Sequence, residues 1–281
     1  MKIIIPDQKK LATTIASIQK TGSDKLHILA DFDRTLTYGS VDGQKVPSII
    51  AILRNGHHLS DDYAVKAHAL FDKYHPIEID PQVSLTEKKQ AMETWWRSHK
   101  QLLIDSGLNK KDIAAIVQDP HIKFRQGVSE FLKYLHQQNI PLIILSASGV
   151  GEAVPMYFVN VKQNFSNIHY IVNSLTWDDS GQALAINEPI IHSLNKDETV
   201  IKNFPEIYQE ISERKNVILL GDNVADTEMV TGFDYDNLIK IGFLDYDIDK
   251  QKESFLENFD IVIEGDGDFD YINKLIKKLC R

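Results

Sequence analysis

The sequence predicts an α/β protein: a parallel sheet flanked by helices, with a helical block inserted behind its first long strand. Three observations predict it. From Gly127 onward, short apolar runs alternate with helical patterns, the signature of βαβ units with right-handed crossovers. The run Leu26–Ala30 is apolar apart from His27, as a strand buried on both faces tends to be, and it ends at two carboxylates, Asp31 and Asp33. Between Val46 and about His121 helical patterns and loops dominate, without a convincing β run.

Taken in order, Leu11, Ile15 and Ile18 recur at helical spacing, with Asp7 as N-cap and Gly22 as stop. After the first strand, Ser60-Asp61-Asp62 opens a helix over 64–74, and the proline-bracketed segment 75–81 reads as extended. Thr86 caps a helix carrying Met92, Trp95, Trp96 and Leu102, and Asn109 starts another through Ile113 and Ile116. Residues 41–121 are therefore expected to form a helical cap domain on a core built from 1–40 and 122–281. In that core, a helix at Val128–Gln137 precedes strands expected at 140–145, 168–172, 216–220, 238–243 and 260–263.

A chain of 281 residues, 43% of them hydrophobic, suits one large domain or a core with an insertion. Its 31 basic against 40 acidic residues give a net charge of −9, which argues against binding a nucleic-acid backbone. A local pocket can still take a small anion. The single cysteine, Cys280, has no intrachain partner and fits a reducing compartment. The opening Met-Lys-Ile-Ile-Ile-Pro is too short an apolar run for a secretory signal, and no run in the sequence is long enough to span a bilayer. A monomeric cytoplasmic protein with neither nucleic acid nor membrane as partner is expected.

Alternation along an extended chain aims Asp31 and Asp33 to one side and Phe32 to the other, which would let a nucleophile and a proton donor share one substrate. Two later strands also end in polar residues, and ligands of open α/β sheets gather at such ends. Ser146 and the N–H groups after it could bind phosphate oxygens at a helix N-terminus. Asp222 and Asp226, spaced i and i+4, could present oxygen ligands to magnesium rather than zinc. Lys196 precedes a helical pattern between two strands. Each has an ordinary alternative: a Ser/Gly helix cap, an acidic helix start, a solvated lysine. The set in this order changes the weighing. A phosphate dianion about 4 Å from one carboxylate is repelled by roughly 8 kcal/mol at an effective dielectric of 20, so such a site needs cations.

Asp31-Phe-Asp33-Arg-Thr35, Ser146, Lys196 and Gly221-Asp222…Asp226 resemble the four motifs of the haloacid dehalogenase-like phosphatases. With Ile77-Glu78-Ile-Asp80-Pro81, Trp95-Trp96-Arg-Ser98-His99 and Lys240-Ile-Gly-Phe-Leu, the chain is similar to their pyrimidine 5′-nucleotidase branch, the cytosolic type III 5′-nucleotidases. The resemblance implies a Rossmann-like core with a helical cap, and magnesium-dependent hydrolysis of nucleoside 5′-monophosphates, UMP and CMP foremost. It implies Asp31 as nucleophile, forming an aspartyl-phosphate, and Asp33 as general acid and base. Asp31, the Asp33 carbonyl and Asp222 would hold Mg2+, supported by Asp226, while Ser146, Ala147 and Lys196 hold phosphate. Glu78 and Ser98 would face base or sugar. The Ser146 loop is one residue longer than the family's. The segment between Met92 and Ser98 is one residue shorter, a change that rotates later side chains on a helix by about 100°.

Two other readings remain at this point: a phosphatase of the same architecture for phosphoserine or a sugar phosphate, and a silent nucleotide-binding protein. Transfer of phosphate to a nucleoside in place of water is also compatible with an aspartyl-phosphate.

Overall fold

In the computed structural model, which describes residues 2–41, 44–56 and 58–280, the chain opens with strand β1 (Lys2–Ile4) and helix α1 (Gln8–Thr21). Met1, Asp42, Gly43, His57 and Arg281, which fall inside the expected domain ranges, lie outside the described residues. Asp7 caps α1 by accepting from the Lys10 N–H at 2.8 Å, and Gly22 ends it at φ 90°. Strand β2 (Leu26–Ala30) follows. A small hairpin, β3 (Ser40–Val41) and β4 (Gln44–Lys45), leads to helices α2 (Ile49–Asn55), α3 (Tyr63–Ile79), α4 (Leu85–Asp105) and α5 (Lys110–Ile116). The chain then alternates: α6 (Val128–Gln137), β5 (Leu142–Ser146), α7 (Ala153–Asn160) and β6 (Ile168–Val172). A hairpin of β7 (Leu175–Trp177) and β8 (Ala183–Ile186) precedes α8 (Glu198–Ile201), α9 (Pro205–Ile211) and β9 (Asn216–Gly221). Last come β10 (Asn237–Leu244), α10 (Ile248–Asn258), β11 (Ile261–Glu264) and α11 (Asp270–Leu279).

Seven strands form one sheet in the order β1-β11-β10-β9-β2-β5-β6, parallel except where β1 runs antiparallel along β11. This is the expected α/β class, and the apolar stretch at the N-terminus proves to be an edge strand. Strand β2 is central, with Leu26 opposite Asn216 and Ile28 opposite Leu142. Period-two alternation divides its neighbours between two cores. Ile28, Ala30, Ile144, Ile218 and Leu220 join the cluster on one face; Leu29, Ile143, Leu145, Val217 and Leu219 join the other. Each fully buried Leu or Ile contributes about 1.5–3 kcal/mol, so a strand apolar on both sides is stable only between helical layers.

The helices between β4 and α6 differ from expectation in two places. The segment 75–81 is not extended: α3 continues through Pro76 to Ile79. Proline removes one intrahelical bond, but Tyr74 and Ile77 on either side are packed against Met92 and Trp95, and the Asp80 N–H closes the last turn on the Pro76 carbonyl at 3.1 Å. The chain leaves the helix only before Pro81. Helix α4 is capped by Ser84 rather than Thr86, in a reciprocal box with Glu87. Ile49, Leu53, Leu103 and Ile113 of these helices belong to the same buried cluster as the sheet. The β7–β8 hairpin, unforeseen in the sequence, lies against the end of α4, where the Ala183 N–H bonds the Leu108 carbonyl at 2.9 Å. The two segments joining the helices to the sheet pair with each other, Tyr38 N–H to Lys123 O at 3.0 Å and Arg125 N–H to Leu36 O at 2.9 Å.

Candidate active site

Strand β2 delivers Asp31 while still hydrogen-bonded: the Asp31 N–H donates to Leu220 O at 3.1 Å, extending the β2–β9 ladder by one residue. Phe32 turns into the core, its ring within 6.5 Å of those of Phe124, Tyr157 and Phe158. Asp31 and Asp33 therefore share one cavity wall. Arg34 takes a left-handed φ of 62°, and its N–H is held by the Thr37 hydroxyl at 2.9 Å. Beneath this turn lies Arg125, fully buried. Its guanidinium donates to Thr35 O at 3.0 Å, to Gly267 O at 2.8 Å, to Arg34 O and to the Asp245 carboxylate. The turn carrying both aspartates is thus held from below by a charged fork with its donors satisfied.

Lys196 reaches the site from a tight turn, in which the Asn195 side chain bridges His192 N–H and Ile190 O, and Asp197 caps the helix behind it. Its buried ammonium donates to Asp31 Oδ1 and, at 3.2 Å, to Asp226 Oδ1. The other oxygen of Asp226 accepts the N–H groups of Asp222 and Asn223, each at 3.1 Å. Asp222 receives only a long bond from the Tyr246 hydroxyl, at 3.5 Å, among the described residues. Carboxylate oxygens of Asp31, Asp222 and Asp226 all lie within 4.8 Å of one another.

Three carboxylates against one ammonium leave excess negative charge in a poorly solvated place. Burial pushes Asp31 up to about 7 despite Lys196 beside it, with Asp226 and Asp33 adding to the rise. Asp222 is raised well above the carboxylate range by burial and by Asp226 and Asp31. Asp33 is raised by burial, opposed by Arg34. Burial alone would lower Lys196; Asp226 and Asp31 outweigh it and hold the ammonium charged. An all-oxygen cluster of this size and charge fits a hard divalent cation such as magnesium.

Ser146 ends β5 and is buried, its hydroxyl accepting from the Ser148 N–H at 3.2 Å. A Cβ on Gly151 would lie 2.4 Å from Asn173 O, so glycine alone lets the loop pass this close to the end of β6. The Ala147 carbonyl accepts from Trp96 Nε1 at 2.8 Å, and Ser193 donates to Glu78 at 2.6 Å. Helix α4 thus bonds the end of β5, and helix α3 the segment that carries Lys196. Between them and the carboxylates lies a cavity of about 360 Å³, which Asp31, Asp33, Ser146, Ala147, Lys196 and Glu78 all line. Asp222 and Asp226 line an adjoining cavity of about 380 Å³ that shares Asp31, Asp33 and Lys196 with it.

Ser98, expected to face base or sugar, lines neither cavity. It borders an open depression on the outer side of α4 with Ser60, Lys66 and Arg97, while Trp95, Trp96 and His99 occupy the inner side. Adjacent residues of a helix point about 100° apart, so Ser98 and His99 face different sides. Both tryptophans reach the cavity. Arg54, His75, His99 and Ser193 were not foreseen. A signal existed for the histidines: Phe71, His75 and Glu78 are spaced i, i+4, i+7, and Trp95 and His99 are spaced i, i+4. Reading 75–81 as extended hid the first stripe.

A model of the pyrimidine 5′-nucleotidase (UMPH-1) family matches residues 34–280. The chain is 34% identical over 274 residues to the 7-methylguanosine phosphate-specific 5′-nucleotidase of Gallus gallus, covering 97% of this chain and 94% of that one. It is 31% identical over 281 residues to the protein of the same name from Homo sapiens, covering 99% and 93%. The crystal structure of cytosolic 5′-nucleotidase IIIB bound to cytidine superposes with a TM-score of 0.88 at 28% identity, over 99% of this chain and 93% of that one. Phosphoserine phosphatase in its apo form, at 19% identity and a TM-score of 0.52 over 89% and 97%, shares the fold.

Proposed function

The chain belongs to the pyrimidine 5′-nucleotidase (UMPH-1) family and is a 5′-nucleotidase of haloacid dehalogenase-like fold; from that premise we propose that it hydrolyses pyrimidine nucleoside 5′-monophosphates through a phosphorylated Asp31. The observation that carries this reading is Lys196 bridging Asp31 and Asp226, with Asp33 on the same cavity wall. One Asp31 oxygen attacks phosphorus as the bond to the ribose O5′ breaks, and Asp33 gives the leaving oxygen its proton. Burial, which raises Asp33, favours the protonated form this step needs. Asp33 then takes a proton from water, whose oxygen attacks the same phosphorus and frees Asp31. Lys196, the Ser146 hydroxyl and the Ala147 N–H hold the phosphoryl oxygens. Asp31, the Asp33 carbonyl, Asp222 and Asp226 would hold magnesium, whose charge offsets repulsion between carboxylate and phosphate.

The inserted helices, 41–121, act as a cap that supplies the nucleoside end. Glu78, oriented by Ser193 and by His75 at 3.2 Å, accepts hydrogen bonds from base or sugar. Trp96 and His99 offer aromatic surface to the base, worth about 1–3 kcal/mol in single-stranded nucleic-acid binders. A second reading is favoured by the same wall and by the names of the relatives: aromatic rings beside the Glu78 carboxylate also suit a cationic base such as 7-methylguanine.

Phosphate release from CMP, UMP, AMP, 7-methyl-GMP and phosphoserine, with magnesium and with chelator, tests both. Turnover of CMP and UMP that chelator abolishes is expected. Absence of nucleotide turnover with magnesium present sinks the reading, and 7-methyl-GMP outrunning both pyrimidines selects the second.

A further inference from the structure

Arg54 stands in the last turn of α2 and lines the cavity that holds Asp31. Its guanidinium lies 5.5 Å from the centre of the Phe71 ring, and Phe71 lines the same cavity. The Nε is buried with no acceptor. Every other described arginine has one: Arg34 on Val46 O, Arg97 on Glu93 and Glu188, Arg125 on three carbonyls and Asp245, Arg214 on Leu26 O and Asn139 O. Among the described arginines Arg54 alone has neither hydrogen bond nor ion pair. A half-buried charge without an acceptor is costly unless a ligand supplies one.

Resting on the hydrolysis proposed above, we infer that Arg54 reads the edge of the nucleobase and favours cytosine over uracil. On that reading Lys196 and Ser146 already serve the phosphate, whereas Arg54 stands beside the rings of Phe71 and His99 in the same cavity. The guanidinium fork takes two adjacent acceptors, as it does on guanine O6 and N7. Among pyrimidines, cytosine presents such a pair, its O2 beside the unprotonated N3. Uracil places an N3–H donor between its two carbonyls, and adenine sets its amino donor beside N7 and N1. A bidentate contact of this kind discriminates against the wrong base by about 10-fold or more.

The test compares kcat and KM for CMP, UMP and base-free ribose 5-phosphate, with magnesium, in the unaltered protein, Arg54→Gln and Arg54→Lys. CMP is expected to exceed UMP in kcat/KM by about 10-fold in the unaltered protein. Arg54→Gln should bring the two within about threefold, with most of the loss in the KM for CMP. It should also lower the ratio of CMP to ribose 5-phosphate turnover, which a general disturbance of the phosphate site would not change. Arg54→Lys keeps the charge without the fork and should fall between; it carries the same test should Arg54→Gln not fold. Nucleotide turnover with a CMP-to-UMP ratio that neither substitution changes overturns the assignment of Arg54 alone. If no nucleotide is turned over, the hydrolysis reading falls, and calorimetry with cytidine decides the base contact: at least tenfold weaker binding by Arg54→Gln supports it, and equal affinity overturns it.

Discussion

The sheet edge and the helical layer facing it line the same cavity but hold their residues by different means. At the edge, Asp31 follows directly on a strand whose backbone ladder continues through its own N–H, and Asp226 is pinned by two main-chain donors. On the layer, Glu78, Trp96 and His99 depend on the rotational phase of two helices, which meet the edge and its loops through few polar contacts among the described residues: Trp96 with Ala147 O, Glu78 with Ser193 and Arg97 with Glu188. In a helix the phase decides: on α4 Ser98 lies on the outside and its neighbour His99 within. On the proposed reading, reaction chemistry is tied to the backbone, and selectivity to helix phase.

The largest test of that division is at the edge. Asp31→Asn should reduce phosphate release at least about 10⁴-fold, since residues acting as one unit are lost together. Glu78→Gln should cost far less and chiefly in KM; equal losses would erase the distinction. Next comes Arg125→Met, which leaves Asp245 buried without its partner. About 3–5 kcal/mol of stability should be lost, read by denaturant unfolding, because the remaining charge is uncompensated.

A pH effect of intermediate size separates the edge from the rest of the protein. Asp31 is raised from its ordinary value to about 7 in the folded state, so the native protein binds a proton there that the unfolded chain has already released. In chelator, its contribution to stability therefore falls as pH rises through 7. Asp31→Asn, neutral throughout, should gain melting temperature relative to the unaltered protein as pH rises from about 4 to about 7, with no further gain above that. Added magnesium should shrink the gain, and its apparent affinity should weaken as pH falls below about 7. A melting difference independent of pH would contradict this. The smallest effect belongs to Trp96→Phe. Losing the bond to Ala147 O should cost about 0.5–1.5 kcal/mol and raise KM severalfold with kcat little altered.

What was legible in the sequence follows the same line. Strands β2, β5 and β9 were readable because burial on both faces demands continuous apolar runs, and β6, β10 and β11 because short β-rich runs recur between helical patterns. The β7–β8 hairpin was not, because Leu184 and Thr176 face solvent; the turn residues Asp178, Ser180 and Gly181 were its only local mark. Pro76 concealed the length of α3, since tertiary packing of Tyr74 and Ile77 outweighs one missing hydrogen bond. Arg54 could not be read at all: a lone arginine near a helix end is ordinary in sequence, and only its lack of an acceptor sets it apart.

The placement of β2 between β5 and β9 also bears on how the protein is made. Synthesis proceeds from the N-terminus, so Asp31 and Asp33 leave the ribosome long before β9 and Asp222, which follows it. Until β9 has emerged, the central strand is itself an open edge, and the aspartates have neither the other carboxylates nor the ladder bond to Leu220. The nascent chain cannot hydrolyse nucleotides by this route. The outermost pairing, Lys2 with Glu264, waits longer still, so residues made early complete the sheet among the last.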